Sequence, residues 1–483
     1  MGHPSIHPTG TTIYQPEKCF NGYTLYPARE NGAVLIDMNG KVVHMWKDLH
    51  GFPNKLLPGG QVLGSLGVRN TSYGYQDQTD LVQVDWDGNI IWKFDKLEYI
   101  EDPGEKPQWM ARQHHDYQRE GNTVGYYVPG MTCCTNNGNT LILCHHNVID
   151  HRISERMLVD DCIIEVDWEG NIIWRWNCHE HFSEFGFSQE ARNVINRNPN
   201  IKSVGTGDWM HINSMSVLGP NKWYDAGDKR FHPDNIIFDG RETNICAILS
   251  KETGKIVWQI GPDYTVSREL RMLNTIIGQH HAHMIPQGLP GAGNILIFDN
   301  GGWAGYGAPS QTSTFGLKAS IRDYSRVIEI DPITLEIIWE CSATKMGHPA
   351  VIQNNWFYSP LVSSAQRLPN GNTFITEGTE GRFFEVTPKN EIVWEYINPY
   401  TTKPGYVYRA YRYPYDYVPQ LPKPDEIAIK PVENNTFRLP GAAPYGFDGV
   451  VSVTGTTGWG QKTDSCVNAE DILTDGGEKQ NNQ

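Results

Sequence analysis

Residues 82–94 read VQVDWDGNIIWKF, and residues 164–176 read IEVDWEGNIIWRW. Each is an alternating apolar run, a turn at Asp-x-x-Gly, and a second β-branched run ending on an aromatic, which is the pattern of a β-hairpin. Four looser copies stand at 35–46 (LIDMNGKVVHMW), 247–260 (AILSKETGKIVWQI), 328–341 (IEIDPITLEIIWEC) and 384–396 (FEVTPKNEIVWEY). Six copies along one chain mark a repeat architecture. Their shared aromatic position falls at His44, Trp92, Trp174, Trp258, Trp339 and Trp394, and is read as core packing.

Ahead of most copies lies a second hairpin: LLPGGQVLGS, QREGNTVGYY with a further strand at NTLILCHH, NIIFDGRE, GAGNILIFDN and RLPNGNTFIT. Two hairpins make a four-stranded antiparallel unit, and no helical periodicity intervenes. The expected fold is all-β, a six-bladed β-propeller with long loops capping the central channel. The shared aromatics recur at intervals of 48 to 84 residues, mostly longer than the roughly 40–50 of compact propeller repeats. The excess is assigned to loops, where function tends to sit. The first copy lacks an upstream hairpin, whereas VYRAYRYPYDY returns at 407–417, so the ring is expected to close with N- and C-terminal strands. This division gives an N-terminal arm over 1–20, the propeller over 21–420, and a C-terminal strap and flexible tail over 421–483.

Composition excludes other classes. The 483 residues carry 40 Lys+Arg against 55 Asp+Glu, a net charge of −15, which repels nucleic acid and anionic membranes. With 48 glycines, 30 prolines and an 11% aromatic share, the chain is too aromatic for disorder and too rich in turns for a helical protein. No export leader or membrane-length apolar run is visible, so a soluble chain is expected, cytoplasmic unless a leader has been removed. Nine scattered cysteines without CxxC spacing favour free thiols over a disulfide framework.

Aligning the inner strand of each repeat on its following turn puts Phe52, His115, His211, His280, Ser363 and Arg409 at one level. Such positions face the channel, so histidines from three consecutive blades are expected to meet around the axis. Strand alternation sets His280 and Ala282 against His281 and His283, with only one pair lining the channel. Three readings compete. The imidazoles can simply bond neighbouring strands. Alternatively, His115, His211, Gln279, His281 and His283 can hold a divalent metal ion, in a chain otherwise expected to need no cofactor. In the third reading, His and Arg donors hold a sulfate- or phosphate-like anion while one histidine acts as nucleophile. Arg241 after the His211 strand, Arg409 in the ring and Asn213 beside His211 favour the third. The runs at Cys178–His181 and at His145, His146 and His151 are read as polar loops.

The strings HPTGTTIYQPEKCFNGYTLY, HHDYQ, DWMHINS, GQHHA followed by NILIFDN, LPNGNTFITEGTEGRFFEV and YRAYRYPYDY, in this order over residues 7 to 420, resemble the bacterial-type aryl-sulfate sulfotransferases that do not use the nucleotide sulfate donor. The resemblance implies a six-bladed propeller and a ping-pong reaction, in which a histidine takes the sulfuryl group from a phenolic sulfate ester and passes it to another phenol. It implies His280 as the nucleophile. His115, His211 and Arg241 would hold the sulfuryl oxygens with help from Asn213, and His211 or His115 would carry the proton. Arg409, Ser363, His281 and His283 complete the expected substrate-binding set. Trp209, Trp303, Tyr306 and Trp356 are candidates to stack on phenol rings. The implied partners are an aryl sulfate donor and a phenolic acceptor, with no nucleic acid, no membrane, and a homodimer as the assembly considered. Exported members carry a disulfide shortly before the nucleophile, whereas residues 247–280 contain no cysteine. His281 and His283 also exceed the family pattern. These departures keep open a lyase or hydrolase, metal-dependent or not, acting on an anionic or phenolic substrate in the same channel.

Overall fold

The structure, a computed structural model, describes residues 9–28, 31–199, 207–400 and 406–431. Six antiparallel sheets surround a central channel. From the axis outward, blade 1 consists of Tyr411–Tyr413, Tyr23–Ala28, Gly32–Ile36 and Val42–Trp46, and blade 2 of His50–Leu57, Gln61–Ser65, Leu81–Val84 and Ile90–Phe94. Blade 3 is Gln113–Arg119, Thr140–Val148, Leu158–Val166 and Ile172–Asn177, and blade 4 is Ile212–Val217, Ile236–Gly240, Ile245–Leu249 and Ile256–Ile260. Blade 5 is His280–Met284, Ile295–Asp299, Arg326–Ile330 and Ile337–Ser342, and blade 6 is Ser364–Arg367, Thr373–Glu377, Arg382–Val386 and Ile392–Ile397. Each six-copy signature forms the outer hairpin of its blade.

Ring closure is double. The C-terminal strand Tyr411–Tyr413 enters blade 1 at the axis, and the N-terminal strand Gly10–Tyr14 adds a fifth, outermost strand to blade 6. The segment expected as a separate arm is therefore part of a blade where it is described. The strap also docks, since the amides and carbonyls of Tyr14 and Ile429 exchange hydrogen bonds of 2.8 and 2.9 Å. The remainder of the expected tail, 432–483, lies outside the described residues. The hairpin expected at QREGNTVGYY does not form, because the Asn122 side chain accepts from the amides of Val124 and Gly125 at 2.9 Å and turns the chain away. Gln113–Arg119 pairs instead with Thr140–Val148. Among the described residues, no helix is long and apolar enough to cross a membrane.

Alternation along the strands builds the core between blades rather than within them. In blade 4, Ile236, Phe238 and Ala247 pack toward blade 3, whereas Ile237, Cys246 and Ile248 pack toward blade 5. Each fully buried isoleucine of this kind contributes roughly 1.5–3 kcal/mol. The turns are fixed locally. The Asp85 carboxylate accepts from the amides of Asp87 and Asn89 at 3.0 and 2.8 Å, and Gly88 takes the left-handed φ of 86° that closes the turn.

The signature aromatics do more than fill space. The indole N–H of Trp92 donates to the carbonyl of Trp168 in blade 3 (2.8 Å), that of Trp174 to Lys251 in blade 4 (3.2 Å), and that of Trp258 to Pro332 in blade 5 (2.8 Å). Trp339 reaches Pro388 in blade 6 (3.0 Å), and Trp394 reaches Met38 in blade 1 (2.7 Å). His44 closes the circle from Nε2 to the carbonyl of Trp86 at 3.0 Å. Every acceptor is the second residue of the next blade's outer turn. One signature position thus becomes a girdle of six hydrogen bonds that ties each blade to the next, with a histidine substituting for tryptophan once.

Candidate active site

The first residues of the inner strands converge at one end of the channel. Here the backbone departs from the regular strand: His115, His211 and His281 each have φ of 55°, Val362 55° and Ser363 91°. Left-handed φ in such residues costs roughly 1–3 kcal/mol each and tends to gather at functional sites. His115 and His281 lie inside register shifts, between Gln113 and Tyr117 and between His280 and His283, and His211 immediately precedes another. These shifts break the alternation expected of blade 5. His280 meets one group of side chains at the mouth while His281 and His283 meet another deeper in the channel, so all three histidines turn inward, and of the expected pairs only Ala282 stays in the core between blades 4 and 5.

At the mouth, the rings of His115 and His211 meet edge to face with centroids 4.6 Å apart, and Phe52 lies 4.5 Å from His115. His280 is close enough to both histidines and to Arg241 to feel their charge. Each ring is aimed by a second hydrogen bond. His211 Nδ1 bonds Asp208 Oδ2 at 2.6 Å, and His115 Nδ1 bonds His114 Nδ1 at 2.7 Å. His280 Nδ1 faces two acceptors, Asn300 Oδ1 at 2.8 Å and the Gly278 carbonyl at 3.1 Å. The Asn300 amide nitrogen is itself committed to the carbonyls of Ser359 (2.7 Å) and Val362 (2.9 Å), which fixes its oxygen toward His280. The proton of His280 therefore sits on Nδ1, and Nε2 presents a lone pair, which accepts from the Val362 amide at 3.1 Å. Burial, and then the Arg241 guanidinium, hold the His280 imidazole well below its ordinary pKa. Burial, followed by His211 and His114, does the same for His115.

The other expected site residues are placed differently. Arg409 is fully buried. It donates to Asp116 Oδ2 at 2.8 Å, to the Tyr408 hydroxyl at 3.1 Å and to the Asn213 carbonyl. Asp116 also binds Lys55 at 2.6 Å, so Arg409 belongs to an ion-paired plug in the channel rather than to the substrate-binding set. Ser363 Oγ is taken up by Ser359 Oγ at 2.8 Å and the Gly378 amide at 3.0 Å, which join blade 6 to the preceding loop. The Asn213 amide nitrogen donates to the Gln279 carbonyl at 2.8 Å, and Gln279 donates to the carbonyls of Gly240 and Ile245. His281 Nε2 and His283 Nε2 meet the hydroxyls of Tyr411 (3.3 Å) and Tyr126 (2.9 Å). The expected metal set of His115, His211, Gln279, His281 and His283 consequently does not share a focus. Among the described residues, the groupings able to hold an ion are His114, His145 and Asp161, and His146, Asp160 and His179.

Two further expectations change. His145 and His146 are not loop residues but lie buried on the Thr140–Val148 strand. Cys178–His181 forms a short 3-10 turn, with His179 Nδ1 on Asp150 at 2.9 Å. The candidates for phenol stacking also differ. Trp209 is buried in a cluster with Phe182, Phe185 and Phe187 and donates to Asp160, and Tyr306 donates to the Trp209 carbonyl. Trp303 and Trp356 lie on exposed surface. The aromatic wall comes instead from Phe52, Tyr75, Tyr406 and Tyr408, which with His50 and Val68 line a cavity of ≈ 480 Å³. This cavity adjoins the histidines, since Tyr408 lies 5.5 Å from His115 and Tyr75 6.0 Å from His211, ring to ring. Asp208 in DWMHINS and Asn300 in NILIFDN carry no repeat signature that marks them as site residues. Each stands within a few residues of a recognised histidine or strand end, and that adjacency was the available signal.

The fold and mouth define a six-bladed propeller with a buried imidazole and guanidinium cluster beside an aromatic cavity. The family model described as Arylsulfotransferase (ASST) matches residues 131–407, more than half of the chain, and the protein belongs to that family. No curated protein matches the chain. Among solved structures, a protein of unknown function from Bacteroides caccae aligns with TM-score 0.43 at 10% identity, covering 81% of this chain and 98% of its own. A streptogramin B lyase aligns with TM-score 0.36 at 11% identity, covering 82% and 85%. Virginiamycin B lyase from Staphylococcus aureus aligns with TM-score 0.33 at 12% identity, covering 81% and 85%.

Proposed function

We propose that this arylsulfotransferase moves a sulfuryl group from a phenolic sulfate ester to another phenol through a sulfohistidine at His280. The observation that carries this reading is the tautomer of His280, fixed by Asn300 so that Nε2 holds the lone pair in a setting that keeps the ring neutral. Nε2 attacks sulfur, and the bond from sulfur to the aryl oxygen breaks. The departing phenolate takes a proton from His211, which Asp208 braces, because burial keeps His115 neutral. In the second half, the acceptor phenol returns that proton, its oxygen attacks sulfur and the N–S bond breaks. The Val362 amide yields Nε2 to sulfur and becomes one of the donors to the sulfuryl oxygens, with Arg241 and the histidine ring N–H groups. Phe52, Tyr75 and Tyr408 offer flat apolar faces to the phenol rings.

Incubation with 4-nitrophenyl sulfate and a phenol, without any nucleotide, is expected to yield sulfated acceptor and, under denaturing quench, a sulfuryl adduct mapped to His280. A His280→Ala protein that transfers as well as the parent would sink the assignment. Release of phenol and inorganic sulfate without transfer to any acceptor would favour the hydrolase reading.

A further inference from the structure

Behind His115, on the side away from the cavity, three polar atoms point at one another with no hydrogen-bond partner: His114 Nε2, His145 Nε2 and Asp161 Oδ1. All three side chains are fully buried. Buried unpartnered polar atoms are rare in folded proteins, and three at one point call for a common cause. Each residue's other polar atom is already bonded. His145 Nδ1 bonds Asp77 Oδ1 at 2.7 Å, His114 Nδ1 bonds His115 Nδ1 at 2.7 Å, and Asp161 Oδ2 accepts from the Ile212 amide at 3.0 Å. Asp77 is in turn clamped by Arg112 Nε at 2.8 Å and Arg69 Nη1 at 3.1 Å.

We propose that His114, His145 and Asp161 form a binding site for one divalent first-row transition ion. The donor set, two imidazoles and a carboxylate, suits such ions, and a carboxylate behind a ligating histidine is the usual outer support. Asp161 Oδ1 lies 3.3 Å from His114 Nε2 and 3.8 Å from His145 Nε2. Ligand bonds of about 2.0–2.1 Å at tetrahedral angles set donor atoms about 3.4 Å apart. The two rings are stacked with centroids 3.5 Å apart at 15°, so one of them tilts for both lone pairs to meet the ion. The second grouping serves as a contrast. Asp160 already accepts from His146 at 3.0 Å, the His179 amide at 3.0 Å and Trp209 at 2.9 Å, which leaves neither of its oxygens waiting.

An ion on His114 Nε2 places the remaining proton of that ring on Nδ1, which then donates to His115 Nδ1. His115 would accordingly keep its own proton on Nε2, as a donor into the mouth of the channel. Occupancy of the buried site therefore selects the tautomer of His115.

The test is independent of sulfuryl transfer. Untagged full-length protein, stripped with a chelator, is titrated with Zn²⁺ and with Co²⁺, followed by metal content, the Co²⁺ absorption spectrum and melting temperature. One equivalent should bind and raise the melting temperature. His280→Ala should bind like the parent, whereas Asp161→Asn and His145→Gln should each lose at least tenfold in affinity while keeping the parent's circular dichroism. If Asp161→Asn does not fold, His145→Gln and the Zn²⁺-dependent melting shift of the parent still decide. The absence of saturable binding by the parent would overturn the site, as would binding that survives both substitutions or is lost only in His146→Gln.

Discussion

The outer girdle and the inner mouth are built from the same six repeats and differ in almost every physical respect. At the girdle, one residue position makes one hydrogen bond to one acceptor position six times over, and even His44 performs the task of the tryptophans. At the mouth, the equivalent level carries phenylalanine, histidines, serine and arginine, with left-handed backbone and register shifts. The girdle repeats because its work is the same between every pair of blades. The mouth diverges because each blade contributes a different group to one asymmetric task, and neighbouring blades hold the strained backbone in place.

Substitutions at the two levels should therefore break different properties. The largest effect is expected at His280, where His280→Ala should lower transfer by at least roughly 10³-fold with the melting temperature nearly unchanged. An equal loss of activity from a girdle substitution would erase the contrast. Next, Arg241→Gln should lower kcat by about 10²–10³-fold with a smaller change in KM, as measured by steady-state kinetics, because a donor to developing charge is removed.

A pH effect follows deeper in the channel. Burial pushes His283 down to about 4. Unfolded, this ring takes up a proton near pH 6.5; folded, it stays neutral until about pH 4, so the fold loses stability as pH falls between these values. The loss is on the order of 3 kcal/mol for this residue. The gap between urea midpoints at pH 7 and pH 5 should be smaller in His283→Gln, which retains an acceptor for Tyr126, than in the parent, with the remaining gap due to the other buried histidines. The smallest effect belongs to the girdle itself. Trp258→Phe should cost about 1 kcal/mol through the lost hydrogen bond, with activity intact, and a thermal melt with parallel assays checks both.

The six blades were legible because alternation, the Asp-x-x-Gly turn and the aromatic position recur in sequence. The convergence of His115, His211 and His280 was readable from the same register. What was hidden depends on breaks in periodicity. Strand alternation places His280 and His281 on opposite sides, and only the left-handed φ at His281 reconciles them. His145 and His146 look like loop residues because they are polar, yet buried Asp77, Asp160 and Asp161 face them from adjoining segments. Phe52, Tyr75 and Tyr408 belong to three separate segments with no shared pattern, so the aromatic cavity had no signature to find. The sequence marks the girdle only as packing, because each hydrogen-bond acceptor lies in a different blade from its donor.

The double closure of the ring also sets an order of assembly during synthesis. Tyr406 and Tyr408 of the cavity wall, and the Tyr411–Tyr413 strand that completes the first blade, are among the last described residues to leave a ribosome. Blades 2 to 6 have every strand they need before that point. A truncated product that ended ahead of residue 406 would possess the histidines, Phe52 and Tyr75 but would lack Tyr406 and Tyr408 of the cavity wall and the strand that closes blade 1. The mouth is thereby completed only after the last described strand, Tyr411–Tyr413, has been made.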